Sequence, residues 1–151
     1  MGKNIIVSNR LPLKIIREDD SFYYVPSEGG LATGLGSIYK KGDNLWVGWP
    51  GQTVKKDEER KQIRHDLEEE NMIPVFLSKK LIENFYEGFS NDTIWPIFHY
   101  FLQYANYDSN LYSAYVEANK VFCSAVLEVA TEHDTIWVHD YQLLLLPQMI
   151  R

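Results

Sequence analysis

Two polar residues, His139 and Asp140, interrupt the apolar segment TIWVHDYQLLLLP (135–147). The pattern predicts a short buried strand over 136–138 that runs directly into an apolar helix. In an α/β sheet, ligands bind outside the carboxyl ends of the strands. A carboxylate at that position is available to a ligand rather than to the core, so Asp140 is the first candidate binding residue.

A second polar group, Ser8-Asn9-Arg10, follows the first apolar run. Arg10 can bind a phosphate or a carboxylate through its planar guanidinium, although position alone slightly favours an ordinary surface arginine. The glycine-rich segment 26–36, PSEGGLATGLG, changes that balance. Gly29 and Gly30 precede a predicted helix, where the missing side chains let backbone N–H groups approach a phosphate. The spacing matches neither a P-loop nor GxGxxG, which disfavours NTPases and nicotinamide dehydrogenases.

Aromatic residues make up 14% of the chain and can offer flat apolar faces to sugar rings. Trp46 and Trp49 lie three apart on a predicted strand and so face opposite sides; we predict Trp46 in the core and Trp49 in a cleft. Segment 84–100, NFYEGFSNDTIWPIFHY, fits neither strand nor helix spacing. Tyr86 and Trp95 are its candidate site residues. Its phenylalanines are assigned to a local core: Phe85, Phe89 and Phe98.

Composition and charge restrict the class of protein. The 151 residues fit one domain, and 45% hydrophobic with 24% charged residues is typical of a globular fold. A net charge of −6 disfavours a nucleic-acid partner. The single Cys123 excludes an internal disulfide and suits the cytoplasm, and no apolar run is long enough to span a membrane. The histidines form no HxH or HExxH pattern, so no metal site is predicted.

The elements that must position these residues alternate between strand and helix. Apolar runs predict strands over 4–7, 22–25, 45–48, 74–77 and 136–138. Periodicity and capping residues predict helices after the glycines to 41, over 56–71, over 78–89 and from 108 or 109 onward. The alternation predicts an α/β fold with a mostly parallel sheet and helices on both faces. The last residues still look helical, so we expect residues 1–151 to be part of a larger protein.

Five segments, in order and at their spacings, resemble the N-terminal half of the trehalose-6-phosphate synthases, a family of retaining sugar-nucleotide glycosyltransferases. They are IIVSNRLP (5–12), EGGLATGL (28–35), LWVGWPG (45–51), FYEGFSNDTIWPIFHY (85–100) and IWVHDYQLLLLPQMIR (136–151). They span nearly the whole chain. The resemblance implies that 1–151 is the truncated, acceptor-side, Rossmann-like N-terminal domain of a GT-B fold, and that the second, donor domain is absent.

The resemblance also implies ligand roles. Five residues match positions that hold glucose 6-phosphate in the family: Arg10, Trp49, Tyr86, Trp95 and Asp140. Arg10 would pair with the phosphate, helped by Tyr86, and Asp140 would accept hydrogen bonds from sugar hydroxyls. Gly29 and Gly30 match the loop that approaches UDP-glucose near its diphosphate and glucose. Asp140 is the one catalytic candidate.

The implied activity is that of an α,α-trehalose-phosphate synthase (UDP-forming), which transfers glucose from UDP-glucose to glucose 6-phosphate and needs no cofactor or essential metal. Two alternatives stay open, a non-catalytic family member that senses sugar phosphates and a synthase with another phosphorylated acceptor. Residues 1–151 alone are expected to be inactive. The partners expected are the two small substrates, with no nucleic acid or membrane; a homo-oligomer of the full-length protein is left open.

Overall fold

The computed structural model describes residues 2–19, 21–27, 30–39 and 43–151. In chain order the elements are β1 (Asn4–Arg10), β2 (Leu13–Glu18), β3 (Ser21–Pro26), α1 (Gly30–Tyr39), β4 (Asn44–Trp49), α2 (Asp57–Glu68), β5 (Met72–Pro74), α3 (Lys79–Ile82), a π-helix (Glu83–Ile94), α4 (Trp95–Phe98), a 3₁₀ turn (Leu102–Tyr104), α5 (Ser109–Leu127), β6 (Thr135–Val138), a second 3₁₀ turn (Tyr141–Leu143) and α6 (Leu146–Ile150). One sheet has the order β5-β4-β1-β6 with every pair parallel. The predicted α/β class with a mostly parallel sheet is confirmed.

The sheet separates two apolar cores because side chains alternate across each strand. On β1, Ile5 and Val7 pack with residues of the π-helix, α5 and α6, while Ile6 packs with residues of α1 and α2 on the other face. Trp46 and Trp49 of β4 divide in the same way. Helices therefore cover both faces, as predicted, and the central strand is buried on each side.

The first connection differs from the prediction. β2 and β3 form an antiparallel hairpin that runs from Leu13 paired with Pro26 to Glu18 paired with Ser21. Only the second of these strands was predicted, over 22–25, because charged residues at 17–20 obscure the alternation in the first. Ile15 of β2 is buried in the core beside α1 and α2, which fixes the hairpin against that face of the sheet.

The irregular aromatic segment is a π-helix. The predicted helix over 78–89 begins at its expected cap, where Ser78 Oγ accepts a hydrogen bond from Leu81 N at 3.2 Å. After Ile82 it widens into the π-helix, which ends where Trp95 N–H donates to Ser90 O, five residues back. This wider turn explains why the aromatic spacing fits neither the strand nor the α-helix period, and such turns are frequent at functional sites.

The strands predicted over 45–48 and 136–138 and the helices predicted over 56–71 and from 108 or 109 are found with shifted boundaries as β4, β6, α2 and α5. The apolar helix predicted directly after 138 begins only at Leu146, because the positive φ of Asp140, 72°, is not helical and the 3₁₀ turn Tyr141–Leu143 follows it. Asp108 caps α5, its Oδ1 accepting a hydrogen bond from Asn110 N at 2.7 Å. The predicted strand at 74–77 lies instead at Met72–Pro74. Within the described part of the chain, no helix is both long and apolar enough to cross a bilayer.

Candidate functional site

The register of the sheet brings Arg10 and Asp140, two predicted site residues, to the same end of the sheet. Val7 of β1 lies opposite Val138 of β6, so the residues that follow each strand leave the same edge of the sheet. There they line a pocket of about 240 Å³ together with the start of α1 and the π-helix. Four predicted residues lie on this pocket: Arg10, Gly30, Tyr86 and Asp140.

A bulge in β1 directs Arg10 toward the pocket. The β1–β4 register shifts between Val7 and Arg10, and bulges of this kind re-aim side chains next to binding sites. Ser8 stabilises the bulge, since its Oγ donates to Arg10 O at 2.6 Å and accepts from Trp46 Nε1 at 2.8 Å. Gly48 of β4 allows the close approach, because a Cβ there would lie 2.8 Å from Leu11 N.

Arg10 is held by aromatic rings rather than by an acid. Its guanidinium carbon lies 5.0 Å from the centre of the Trp49 ring and 5.5 Å from that of Tyr86, both within cation–π range. No carboxylate of the described residues lies within salt-bridge distance of it. The aromatic contacts fix the side chain but leave its hydrogen-bond donors available to an anion.

Asp140 has an unusual backbone conformation for its residue type. Its φ of 72° and ψ of 170° fall in a region occupied almost only by glycine, at a cost of about 1–3 kcal/mol. One carboxylate oxygen accepts a hydrogen bond from Tyr141 N at 2.8 Å. Strain of this kind persists where the surrounding structure enforces it, and here it places a carboxylate at the pocket.

The 3₁₀ turn after Asp140 is fixed to α5 by Tyr115. The Tyr115 hydroxyl donates to Tyr141 O at 2.7 Å and accepts from Leu144 N at 3.0 Å. Burial raises the pKa of Tyr115 to about 12, so it stays neutral in this role. The turn is also tied to the π-helix, because Tyr141 Oη donates a hydrogen bond to Asn91 Oδ1 at 3.0 Å.

Tyr115→Phe is therefore expected to destabilise the protein by about 2 kcal/mol, because it leaves a carbonyl and an N–H of the turn without their partner. Chemical denaturation measures this change. Tyr112→Phe is the control: Tyr112 lies on the same helix, is half exposed, and its hydroxyl has no hydrogen bond within the described residues. Equal stability of the Tyr115 and Tyr112 variants would contradict this role for Tyr115.

The tryptophans differ from the prediction. Trp49 was expected in a cleft, but it is only 6% exposed, and its Nε1 donates to Gln52 O at 3.1 Å. Its link to the site is its contact with Arg10. Trp46 is in the core as predicted, yet it also lines the pocket.

Trp95 and the two glycines are the remaining predicted site residues. Trp95 is 41% exposed and stacks on His99 with ring centres 3.9 Å apart, and it does not line the pocket in this structure. Gly29 lies outside the described residues. Gly30 opens α1, and a Cβ at that position would meet nothing within 4 Å, so the fold itself does not require glycine there.

His139 has a packing role. The centres of the His139 and Trp137 rings lie 4.6 Å apart. Burial lowers the pKa of His139, and the charge of Asp140 partly opposes this shift. The described residues contain no group of three or more His, Cys, Asp or Glu side chains arranged to hold a metal ion.

Sequence reasoning missed two amide side chains at the pocket. Asn9 and Gln142 are each 7% exposed and line it beside Arg10 and Asp140. In the sequence both look like ordinary loop residues, Asn9 directly before Arg10 and Gln142 two residues after Asp140. The one available signal was their position shortly after the ends of the strands predicted over 4–7 and 136–138.

Comparison with known proteins identifies the class to which this fold and pocket belong. The model of glycosyltransferase family 20 matches residues 2–151, and the chain therefore belongs to that family. The resemblance inferred from the five segments is confirmed.

Individual relatives carry a narrower name. The α,α-trehalose-phosphate synthase (UDP-forming) of Candida albicans is 43% identical over 99% of this chain, which covers 32% of that protein. The crystal structure of such a synthase from Burkholderia vietnamiensis matches the whole chain at 30% identity and a TM-score of 0.74, with 30% of that chain covered. A trehalose-6-phosphate synthase structure from E. coli bound with UDP-2-fluoro glucose is 28% identical, with a TM-score of 0.72, over 99% of this chain and 30% of that one. This chain thus spans about a third of the length of the relatives it matches.

Proposed function

We propose that this chain forms the acceptor side of an α,α-trehalose-phosphate synthase, which transfers glucose from UDP-glucose to glucose 6-phosphate. The observation that carries the proposal is that one pocket is lined both by Arg10, whose guanidinium lies over two aromatic rings, and by Asp140, whose backbone is strained. A cation can bind the phosphate of a phosphorylated sugar, and a nearby carboxylate can accept hydrogen bonds from its hydroxyl groups. The names of relatives at 41–44% identity support this choice.

Each residue has a separate role in the proposal. Arg10 binds the acceptor phosphate with help from Tyr86, and Asp140 accepts hydrogen bonds from sugar hydroxyls. Trp49 acts through Arg10, against which its ring packs. By resemblance Trp95 also belongs to the acceptor site. Gly30, with Gly29 before it, offers backbone N–H groups to the donor diphosphate at the start of α1.

The proposed chemistry needs positioning more than a catalytic base. The acceptor hydroxyl oxygen bonds to the anomeric carbon as the bond from that carbon to the UDP oxygen breaks, and the hydroxyl proton passes to the departing diphosphate. The attack occurs on the leaving-group face, which retains the anomeric configuration. The protein lowers the barrier by orienting both substrates and stabilising developing charge.

The proposal assigns the rest of the catalytic site to the part of the relatives' length that this chain does not cover. That part would form the second domain of a GT-B fold and bind the nucleotide. We therefore expect residues 1–151 to bind the acceptor without turnover. The cytoplasm is the proposed compartment, because a single cysteine suits a reducing environment.

Asp140→Gly tests the proposal through opposite effects on stability and binding. Glycine adopts the backbone angles of Asp140 without strain, so the variant is expected to unfold at the same temperature or higher. Its affinity for glucose 6-phosphate is expected to fall at least about tenfold, because a hydrogen bond to a charged acceptor is lost. Thermal unfolding and a titration followed by tryptophan fluorescence measure the two effects.

Asp19→Gly is the matched control. Asp19 also has a positive φ, of 52°, but lies in the β2–β3 turn away from the pocket walls. It should gain or keep stability and bind glucose 6-phosphate as the unmodified protein does. Undiminished binding by Asp140→Gly would remove Asp140 from the site.

A further inference from the structure

Two amide oxygens beside the pocket are buried without a partner. Within the described residues, Asn9 Oδ1 and Gln142 Oε1 accept no hydrogen bond although almost no solvent reaches them. A buried acceptor that loses its bond to water without replacement costs about 1–3 kcal/mol. Most buried polar groups in native proteins avoid that cost, so an exception calls for a physical explanation.

The position of the two amides supplies one. Asn9 lies within the bulge of β1, between Val7 and Arg10, and Gln142 lies in the 3₁₀ turn after β6. Both residues line the pocket, as does Asp140. The Gln142 backbone is held in place, since Asn119 Nδ2 donates to Gln142 O at 3.2 Å. The Gln142 side chain, which lines the pocket, is thus carried on a turn whose backbone is held by α5.

A third buried amide shows what a packing role looks like. Asn119 is fully buried on α5 and its Oδ1 is also unpaired among the described residues, but its Nδ2 donates to Tyr115 O and to Gln142 O. It does not line the pocket. No side-chain hydrogen bond of this kind is found for Asn9, within the described part of the chain, to explain its burial.

The chemistry of the unpaired atoms selects the ligand group. The two amide oxygens are neutral hydrogen-bond acceptors, and the Asp140 carboxylate is a charged one. This side of the pocket therefore favours a ligand group that donates hydrogen bonds. A phosphate offers acceptors and belongs on the Arg10 side. Sugar hydroxyls are donors, are neutral, and occur side by side on a ring.

We propose that Asn9 and Gln142 are two further substrate-binding residues, whose amide oxygens accept hydrogen bonds from hydroxyl groups of the acceptor sugar. This inference rests on the proposed function, because it takes the pocket to be the glucose 6-phosphate site. It extends recognition from one carboxylate to three acceptors in the same pocket. It also explains why two buried amide oxygens have no hydrogen-bond partner among the described residues.

The test uses variants that keep side-chain size and remove the acceptor. Asn9→Leu and Gln142→Met are each expected to weaken binding of glucose 6-phosphate roughly 5- to 10-fold, the effect of one neutral hydrogen bond. Binding of inorganic phosphate should not change. Because each change removes an unpaired buried polar atom, the unliganded variants should melt at the same temperature as the unmodified protein or higher.

Deoxy analogues of glucose 6-phosphate distinguish binding from a packing effect. Each deoxy analogue lacks one hydroxyl group of glucose 6-phosphate. If an amide binds that hydroxyl, removing the hydroxyl from the ligand should weaken binding to the unmodified protein by the same factor as removing the amide weakens binding of glucose 6-phosphate. The variant should then lose no more with that analogue. Gln62→Met is the control, since Gln62 Nε2 donates to Asp66 Oδ1 at 2.6 Å on an exposed helix face away from the pocket.

The outcomes separate this inference from the proposed function. If the unmodified protein binds glucose 6-phosphate and both variants bind it equally well, the amides are not substrate-binding residues, and the proposed function stands. A clear drop in the melting temperature of the unliganded variants would assign the amides to packing and overturn the inference. Unmodified protein that binds inorganic phosphate but not glucose 6-phosphate would overturn the inference and the proposed function together.

Discussion

Arg10→Ala is expected to weaken glucose 6-phosphate binding by at least about 100-fold. Hydrogen bonds to charged groups contribute about 1.5–3 kcal/mol each, and a guanidinium can make two to one phosphate. Arg10 is exposed at the pocket and held by Trp49 and Tyr86. Inorganic phosphate binding should be lost as well, which distinguishes this variant from those at Asn9 and Gln142. Fluorescence titrations with both ligands measure the effect.

Two further variants show whether charge or geometry matters at Arg10. Arg10→Lys keeps the charge but loses the planar fork, so an intermediate loss of about tenfold is expected. Arg17→Ala is the control, because Arg17 pairs with Glu59 at 3.1 Å and lies over Phe22, outside the pocket. Phosphate binding that is equal in Arg10→Ala and Arg17→Ala would exclude Arg10 as the anion site.

Gly48→Ala is expected to destabilise the protein by about 3 kcal/mol, the upper end of the usual range for overpacking. A Cβ at this position would lie 2.8 Å from Leu11 N, 2.9 Å from Arg10 C and 3.1 Å from Ser8 O. All three are backbone atoms of the bulged strand, so no side chain can move aside. The bulge must shift, and glucose 6-phosphate affinity should fall with stability. Urea denaturation measures the first effect.

Gly34→Ala is the matched control for the glycine change. It lies inside α1, where a Cβ would meet nothing within 4 Å, so alanine should stabilise the helix by about 0.5–1 kcal/mol. Opposite shifts of the two variants are the expected result. A Gly48→Ala protein as stable as the parent would show that the contact between bulge and β4 does not require glycine.

The sheet could be predicted because its strands are short and strongly apolar. Val7 and Val138 end two such runs, and parallel pairing then brings the following polar residues to one edge. The π-helix could not be predicted, since its hydrogen bonds change period within a helix that begins normally at Ser78. The sequence showed only that its aromatic spacing fitted no regular period.

The candidate site could be predicted in part, for a similar reason. Arg10 and Asp140 carry charges after strands, and that pattern is visible in the sequence. The burial of Trp49 depends on its packing against elements distant in the chain, so its cleft position was wrongly predicted. The strained backbone of Asp140 depends on the fold around it, and so does the burial of the unpaired amide oxygens of Asn9 and Gln142. No local sequence pattern indicates either feature.

The most direct test of the account is a titration of the unmodified chain with glucose 6-phosphate, followed by tryptophan fluorescence. Trp49 packs against Arg10 and Trp46 lines the pocket, so occupancy should change the emission. The account predicts saturable binding that is tighter than that of either glucose or inorganic phosphate alone, because the proposed site pairs the cation of Arg10 with oxygens that accept hydrogen bonds from sugar hydroxyls. Binding of glucose 6-phosphate no tighter than that of inorganic phosphate would contradict it.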